Sequence, residues 1–212
     1  KTTDEILYAL KHNILFFTVE SEPEVARIAE CARRLKTTAR IAFRVNPDVN
    51  PRTHRHISTG RKENKFGLDL RRARHACAMT ALLPHVELVG LHLHIGSQIL
   101  SVRPFVEAIR KVRGLCADLK AALPSFRYLD IGGGIGISYR PGEEPLSPAA
   151  FARAVTPLLK DLGVSVVMEP GRCIVGNAGI LVCRVQYVKD NAFKKFIVVD
   201  AGMNDLIRPV LY

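Results

Sequence analysis

The sequence contains no tryptophan, and only 7% of its 212 residues are aromatic. No uninterrupted apolar run approaches the roughly 18–20 residues a membrane-spanning helix needs, so no such helix is expected. The opening residues, Lys1-Thr2-Thr3-Asp4-Glu5, lead into a helical pattern rather than an apolar signal core, and no secretory signal is expected. CxxC spacing is also missing. The five cysteines, Cys31, Cys77, Cys116, Cys173 and Cys183, are scattered, and an odd count in a chain this long reads as reduced thiols in a cytoplasmic protein. There is no low-complexity tract, and no repeat beyond an alternation of strand-like and helical segments.

What is present is ordinary globular composition, 48% hydrophobic and 24% charged, which argues against disorder, a collagen-like chain or a coiled coil. The formal net charge is +11. Its basic residues are spread along the chain, with only short runs such as Arg71-Arg72-Ala73-Arg74, and no aromatic-rich RNP-like segment accompanies them. No nucleic-acid partner is therefore expected. The excess reads as solvated surface, and it also suits anionic small molecules by raising their local concentration.

Short β-rich apolar runs occur at Ile14 to Val19, Arg40 to Val45, Phe66 to Leu68, Val86 to Ile95, Tyr128 to Ile131 and Val164 to Met168. Helical patterns occupy 22–36, 70–82, 102–122 and 147–162, with Ser101 and Ser147 as candidate N-caps. Strand-helix alternation with apolar strands predicts a parallel sheet covered by crossover helices. The sheet could be open and doubly wound, or close as a (β/α)8 barrel. Chemically loaded residues end several different strands, which favours the barrel. After about residue 176 the texture becomes β-rich without helical pattern, at Ile180 to Val188 and Phe196 to Val199. The expected fold is thus α/β: residues 1–175 form an incomplete barrel with about six strands, and 176–212 begin an all-β domain. A closed barrel has eight strands and typically about 250 residues, so both ends of the chain read as cut.

Three motifs could carry chemistry. In His92-Leu93-His94-Ile95-Gly96-Ser97, strand periodicity puts both histidines on one face and the apolar residues on the other. They read as hydrogen-bonded core histidines, as metal ligands, or as an imidazole stacked on a flat cofactor ring with Ser97 at an anion. The metal reading weakens because no histidine follows His94 and no Cys/His cluster completes a site. In Asp130-Ile131-Gly132-Gly133-Gly134-Ile135-Gly136, consecutive glycines suit either a tight bend or a phosphate held by backbone N–H groups. The GxGxxG dinucleotide fingerprint is not matched, since its acidic ribose partner is missing. In Glu169-Pro170-Gly171-Arg172, a carboxylate leaving an apolar strand needs a partner. Either it pairs structurally with Arg172, or Glu169 holds a cationic ring nitrogen while Arg172 meets an anion. A ring stacker, a phosphate cradle and a carboxylate for a pyridinium together match the needs of pyridoxal phosphate.

On these words the chain resembles the fold type III pyridoxal-phosphate decarboxylases. The matching segments are Lys1-Thr2, Phe16 to Glu22, Arg44 to Pro47, Glu63 to Gly67, His94 to Gln98, Asp130 to Gly134, Glu169 to Arg172 and Asp200 to Pro209, in the family's order. The resemblance implies that His94 stacks on the cofactor ring, Ser97 and Gly134 bind its phosphate, and Glu169 pairs with the ring nitrogen. It implies further that Gly171 and Arg172 complete the cofactor contacts, and that Arg172, Arg208 and Tyr212 bind substrate. It also implies an active site between the barrel and a β-domain, and a homodimer. Arg208 favours the members acting on meso-2,6-diaminopimelate, releasing CO2 to give L-lysine, because a guanidinium suits a distal carboxylate that ornithine lacks. The alternatives are a decarboxylase of ornithine or arginine type and a non-catalytic regulatory homologue.

The chain departs from the family at the covalent attachment point. Tyr8-Ala9-Leu10-Lys11-His12-Asn13 looks like the family's lysine motif, but Lys11 follows a helical pattern rather than lying in a strand. The Schiff-base lysine, and the family's Cys-Glu-Ser segment, are therefore expected outside these residues. No catalytic residue and no metal ligand is assigned within the chain, and the 212 residues alone are expected to be inactive.

Overall fold

The computed structural model describes residues 1–50 and 65–207. Contacts divide the chain into two compact units, Lys1–Ile174 and Val175–Tyr212.

The first unit begins with helix α1 (Thr3–Lys11), whose start is fixed by a reciprocal cap. Thr2 Oγ1 accepts the Glu5 N–H, and the Glu5 carboxylate accepts the Thr2 N–H. Strand β1 (Phe17–Val19) follows, and then α2 (Glu22–Arg34), with a proline and two acids in its first turn and two arginines in its last. Val25, Ile28, Cys31 and Ala32 form the buried stripe of α2, at helical spacing. Next come β2 (Ala39–Asn46), the two-residue β3 (Leu68–Asp69) and α3 (Leu70–Thr80), which is capped by the Asp69 carboxylate on the Arg72 N–H. Then follow β4 (Val86–Leu93), α4 (Arg103–Ala122), β5 (Tyr128–Asp130), α5 (Pro148–Leu159), β6 (Ser165–Val167) and the short α6 (Arg172–Val175).

The six strands form one parallel sheet in the order β1-β2-β4-β5-β6, with β3 beside the end of β2. Long-range parallel pairing requires crossovers, and the helices supply them. The core lies between sheet and helices, around Phe43, Ile41, Leu91, Leu93, Ile109 and Leu129. The fold is α/β with parallel strands, as expected, and the sheet does not close on itself among the described residues. Val166 and Met168, on and just beyond the outer strand β6, remain 42% and 40% exposed, which marks that edge as open.

Among its described residues, the second unit contains one antiparallel hairpin, β7 (Val185–Asp190) with β8 (Lys195–Val199). Its turn is closed by the Asn191 side-chain oxygen, which accepts the N–H groups of Phe193 and Lys194.

Several boundaries differ from expectation for local reasons. β1 starts at Phe17 rather than Ile14, because a turn at His12 and Asn13, with Asn13 at φ 49°, is followed by a bend at Leu15. β7 starts at Val185 rather than Ile180. Ser147 caps α5 as expected, accepting the Ala150 N–H, but the cap position of α4 is Val102, one residue after Ser101. No helix among the described residues is long and apolar enough to cross a membrane.

Candidate active site

Parallel strands all end on the same side of their sheet, so residues at their C-terminal ends collect there. The register aligns Arg44 on β2 with His92 on β4, His92 with Asp130 on β5, and Asp130 with Val167 on β6. Leu91, Leu93 and Ile95 are buried on one face of β4 and its extension, as the period of two requires. His92, on the opposite face, is also buried, at 4% exposure.

The glycine run after β5 is packed against both neighbouring loops. A Cβ at Gly132 would strike the Leu93 carbonyl oxygen, one at Gly133 the Glu169 carbonyl oxygen, and one at Gly134 the Gly96 carbonyl oxygen. Gly132 and Gly134 also hold φ +69° and +100°, which L side chains disfavour. Main-chain hydrogen bonds continue the sheet through these loops. Ile131 N–H donates to Val167 (3.0 Å), Glu169 N–H to Gly132 (2.9 Å), Ile99 N–H to Gly134 (2.9 Å) and Gly136 N–H to Ile99 (3.0 Å).

Glu169 enters this corner two residues beyond β6. His92 Nε2 lies 3.3 Å from its Oε2 and donates a hydrogen bond to it. His94 Nδ1 is farther from the same oxygen, at 3.7 Å, and lies 3.4 Å from the Gly133 N–H. The hydrogen bond from His92, with His94 nearby, holds the Glu169 carboxyl far below the usual carboxylate range. Burial pushes the Asp130 carboxyl up, while the Gly132 N–H it accepts at 2.8 Å opposes that shift. Glu169 stays 46% exposed, so a face of the charged group is open to a ligand.

The structural pair of Glu169 with Arg172, one of the two readings left open by the sequence, does not form. Arg172 opens α6 and points its Nη1 to Gln98 Oε1 (3.4 Å) and Tyr139 Oη (3.2 Å). The Gln98 amide meets the main chain of Ile137 twice: Nε2 donates to the carbonyl at 2.5 Å, and Oε1 accepts the N–H at 3.2 Å. The loops after β4 and β5 are thereby fastened together and to the arginine.

Of the residues singled out by sequence, His94, Gly134 and Glu169 converge on this corner, and Ser97 is half-buried in the loop after β4. Gly171 has open space where a Cβ would sit. Arg208 and Tyr212 lie outside the described residues, as do Glu63 and Asn64 of the matching segments. Lys11 is the last residue of α1. Sequence reasoning offered His92 only as a core histidine or metal ligand, and assigned no role to Asp130, Gln98 or Tyr139. The hydrogen-bonded core reading of His92 is the one the structure supports; Asp130 was discoverable because it ends an apolar strand, and nothing in the sequence pointed to Tyr139. Donor atoms of His92, Asp130 and Glu169 lie within 4.8 Å of one another, so carboxylates supply ligand atoms that a count of cysteine and histidine leaves out.

The residues fit pyridoxal phosphate. A carboxylate kept ionised suits a cationic ring nitrogen, an imidazole lies beside it, and a glycine run that tolerates no Cβ lines the adjoining loop.

Comparison with known proteins agrees. Residues 1–176 match the family of the pyridoxal-dependent decarboxylase, pyridoxal binding domain. The chain is similar to the diaminopimelate decarboxylase of Aquifex aeolicus, 47% identical over 212 residues, covering 100% of this chain and 50% of the relative. It is similar to that of Pseudomonas aeruginosa, at 44% identity with 100% and 51% covered. Among solved structures, it superimposes on the diaminopimelate decarboxylase of Helicobacter pylori complexed with L-lysine with a TM-score of 0.95, at 43% identity, covering 100% of this chain and 53% of that one. The chain spans about half the length of the relatives it matches. Its parallel α/β sheet, its strand-end carboxylate and glycine loop, and the match over residues 1–176 place the chain in the pyridoxal-dependent decarboxylase family, through the pyridoxal-binding domain.

Proposed function

We propose that this chain is the cofactor-binding part of an enzyme that removes one carboxyl group from meso-2,6-diaminopimelate, giving L-lysine and CO2. The observation that carries this reading is Glu169: a half-exposed carboxylate held ionised by His92, at the strand ends of a pyridoxal-binding domain. When bound, pyridoxal phosphate supplies an electron sink for the pair left at Cα as CO2 departs.

The chain's own residues bind and orient. Glu169 meets the cationic ring nitrogen and keeps a proton on it, since an adjacent anion favours the charged form. His94 covers the ring face. Ser97 and Gly134 hold the phosphate, with Gly171 and Arg172 completing the cofactor contacts. Arg172, Arg208 and Tyr212 bind substrate carboxylates, and Arg208 selects a distal carboxylate over a distal ammonium. The covalent lysine is read as lying outside these 212 residues, a reading supported by Lys11 being the last residue of a helix rather than part of a strand. Residues 1–175 form the barrel part, and 176–212 begin the β-domain. The full-length protein is read as a cytoplasmic homodimer, with no nucleic-acid or membrane partner and no required metal.

The test is turnover by the full-length protein loaded with pyridoxal phosphate. CO2 release from meso-diaminopimelate should exceed that from ornithine and arginine. A preference for either of these would overturn the substrate assignment, and no release from any of them would support a regulatory homologue.

A further inference from the structure

Of the two histidines beside Glu169, His92 is the better buried. Its side chain is 5% exposed, against 27% for His94. It lies in register between Arg44 and Asp130, in the middle of the sheet. Only its Nε2 is engaged: Nδ1 is buried and has no hydrogen-bond partner among the described residues. A ring carrying its proton on Nε2, with Nδ1 bare, satisfies this pattern, because a bare acceptor is cheaper to bury than an unpaired N–H.

The neighbour that gives this contact meaning is Asp130. Its carboxylate and that of Glu169 lie within 4.8 Å of each other and of the His92 nitrogen. Two carboxylates that close repel, and one of them takes up a proton unless a donor intervenes. The Gly132 N–H satisfies Asp130, and the main chain of Glu169 is anchored on the Gly132 carbonyl. His94 stands farther off, its Nδ1 3.7 Å from the carboxylate and 3.4 Å from the Gly133 N–H, and contributes less. Among the described residues, the closest side-chain hydrogen bond on the Glu169 carboxylate, and the largest contribution to keeping it ionised, comes from His92.

We propose that His92 is a positioning residue: its Nε2–H holds the Glu169 carboxylate charged and aimed, against the repulsion of Asp130, so that Glu169 can keep the cofactor's ring nitrogen protonated. This rests on the reading that Glu169 meets that nitrogen. His92 itself touches neither cofactor nor substrate in this scheme.

The experiment uses full-length holoenzyme with nitrogen-labelled cofactor, and reads ring-nitrogen protonation by NMR alongside steady-state kinetics. Glu169→Gln should shift the ring signal to the unprotonated position. His92→Leu should shift it in the same direction and lower kcat on the order of 10–100-fold, the range typical of lost supporting hydrogen bonds. His92→Gln, which restores an N–H donor, should recover part of both. Adding Asp130→Asn to His92→Leu should also recover the signal, because the repelling charge is gone. If His92→Leu does not fold, His92→Asn carries the same test, its amide being too short to reach Glu169. A normal ring signal in the His92 variants, with a shifted one in Glu169→Gln, refutes the positioning role and leaves the reading of Glu169 intact. A normal signal in Glu169→Gln removes that reading, and this inference with it.

Discussion

Replacing Gln98 should disclose how the two site loops are fastened. Its amide makes both a donor and an acceptor bond to the main chain of Ile137, which is only 6% exposed. Alanine at 98 removes both bonds and leaves a buried N–H and C=O with no side-chain partner. At about 1 kcal/mol net per bond, with the added penalty of unpaired buried groups, the loss should be about 2–4 kcal/mol. Gln98 also holds φ 59°, in the left-handed region. Glycine there loses the same two bonds but escapes a Cβ penalty of about 1–2 kcal/mol, partly offset by about 0.5–1 kcal/mol of extra chain entropy in the unfolded state. The expected stability order is therefore Gln, then Gly, then Ala, the reverse of the usual preference for alanine over glycine. Urea unfolding of the full-length protein at unchanged m-value reads this order. An alanine variant as stable as the glycine variant, or either within about 0.5 kcal/mol of wild type, a margin typical of surface changes, would refute the reasoning.

Gly133→Ala tests the packing of the glycine run without backbone strain, because the position is not among those with positive φ. Its Cβ would press on the Glu169 carbonyl oxygen, so the variant should lose about 1–3 kcal/mol by overpacking, and cofactor affinity should fall with it by titration. Unchanged affinity would sink the idea that this contact sets the position of Glu169. Asp130→Asn should gain stability relative to wild type as pH rises. The folded carboxyl has a pKa above its ordinary 3.8 because it is buried, so wild type loses stability as pH climbs through that raised value. Glu169 has the opposite sign: its depressed folded pKa adds stability above the ordinary carboxylate range, lost only in strong acid. Denaturation at several pH values between about 4 and about 7 separates them, and a flat difference across that window would contradict the burial argument.

Much of the first unit was legible because period and punctuation agreed. Glu22-Pro23-Glu24 opens α2 as its acids and proline required, and Ser147 caps α5. Six apolar runs became six parallel strands, since buried parallel strands are apolar throughout. Of the second unit, the two β-rich runs at Ile180 to Val188 and Phe196 to Val199 were legible, and they became the paired strands β7 and β8. Strand starts were less visible, because Ile14 and Ile180 are as apolar as strand residues but lie outside the ladders. The strand-end motifs located the site corner, yet pairing across it was not readable. Glu169 pairs with a histidine 77 residues earlier in sequence rather than with an arginine three residues on, and only register along three strands brings them together.

The main-chain bonds running from Ile99 through Gly134 and from Gly132 to Glu169 make the loops of this corner a prolongation of the sheet. Their amides should exchange with solvent on the timescale of global unfolding, unlike ordinary loop amides that open locally. A site built this way holds its geometry before any ligand arrives, and little ordering entropy remains to be lost on binding. Its specificity is then open to change mainly through side chains carried on the frame, while changes to the frame itself fall on folding.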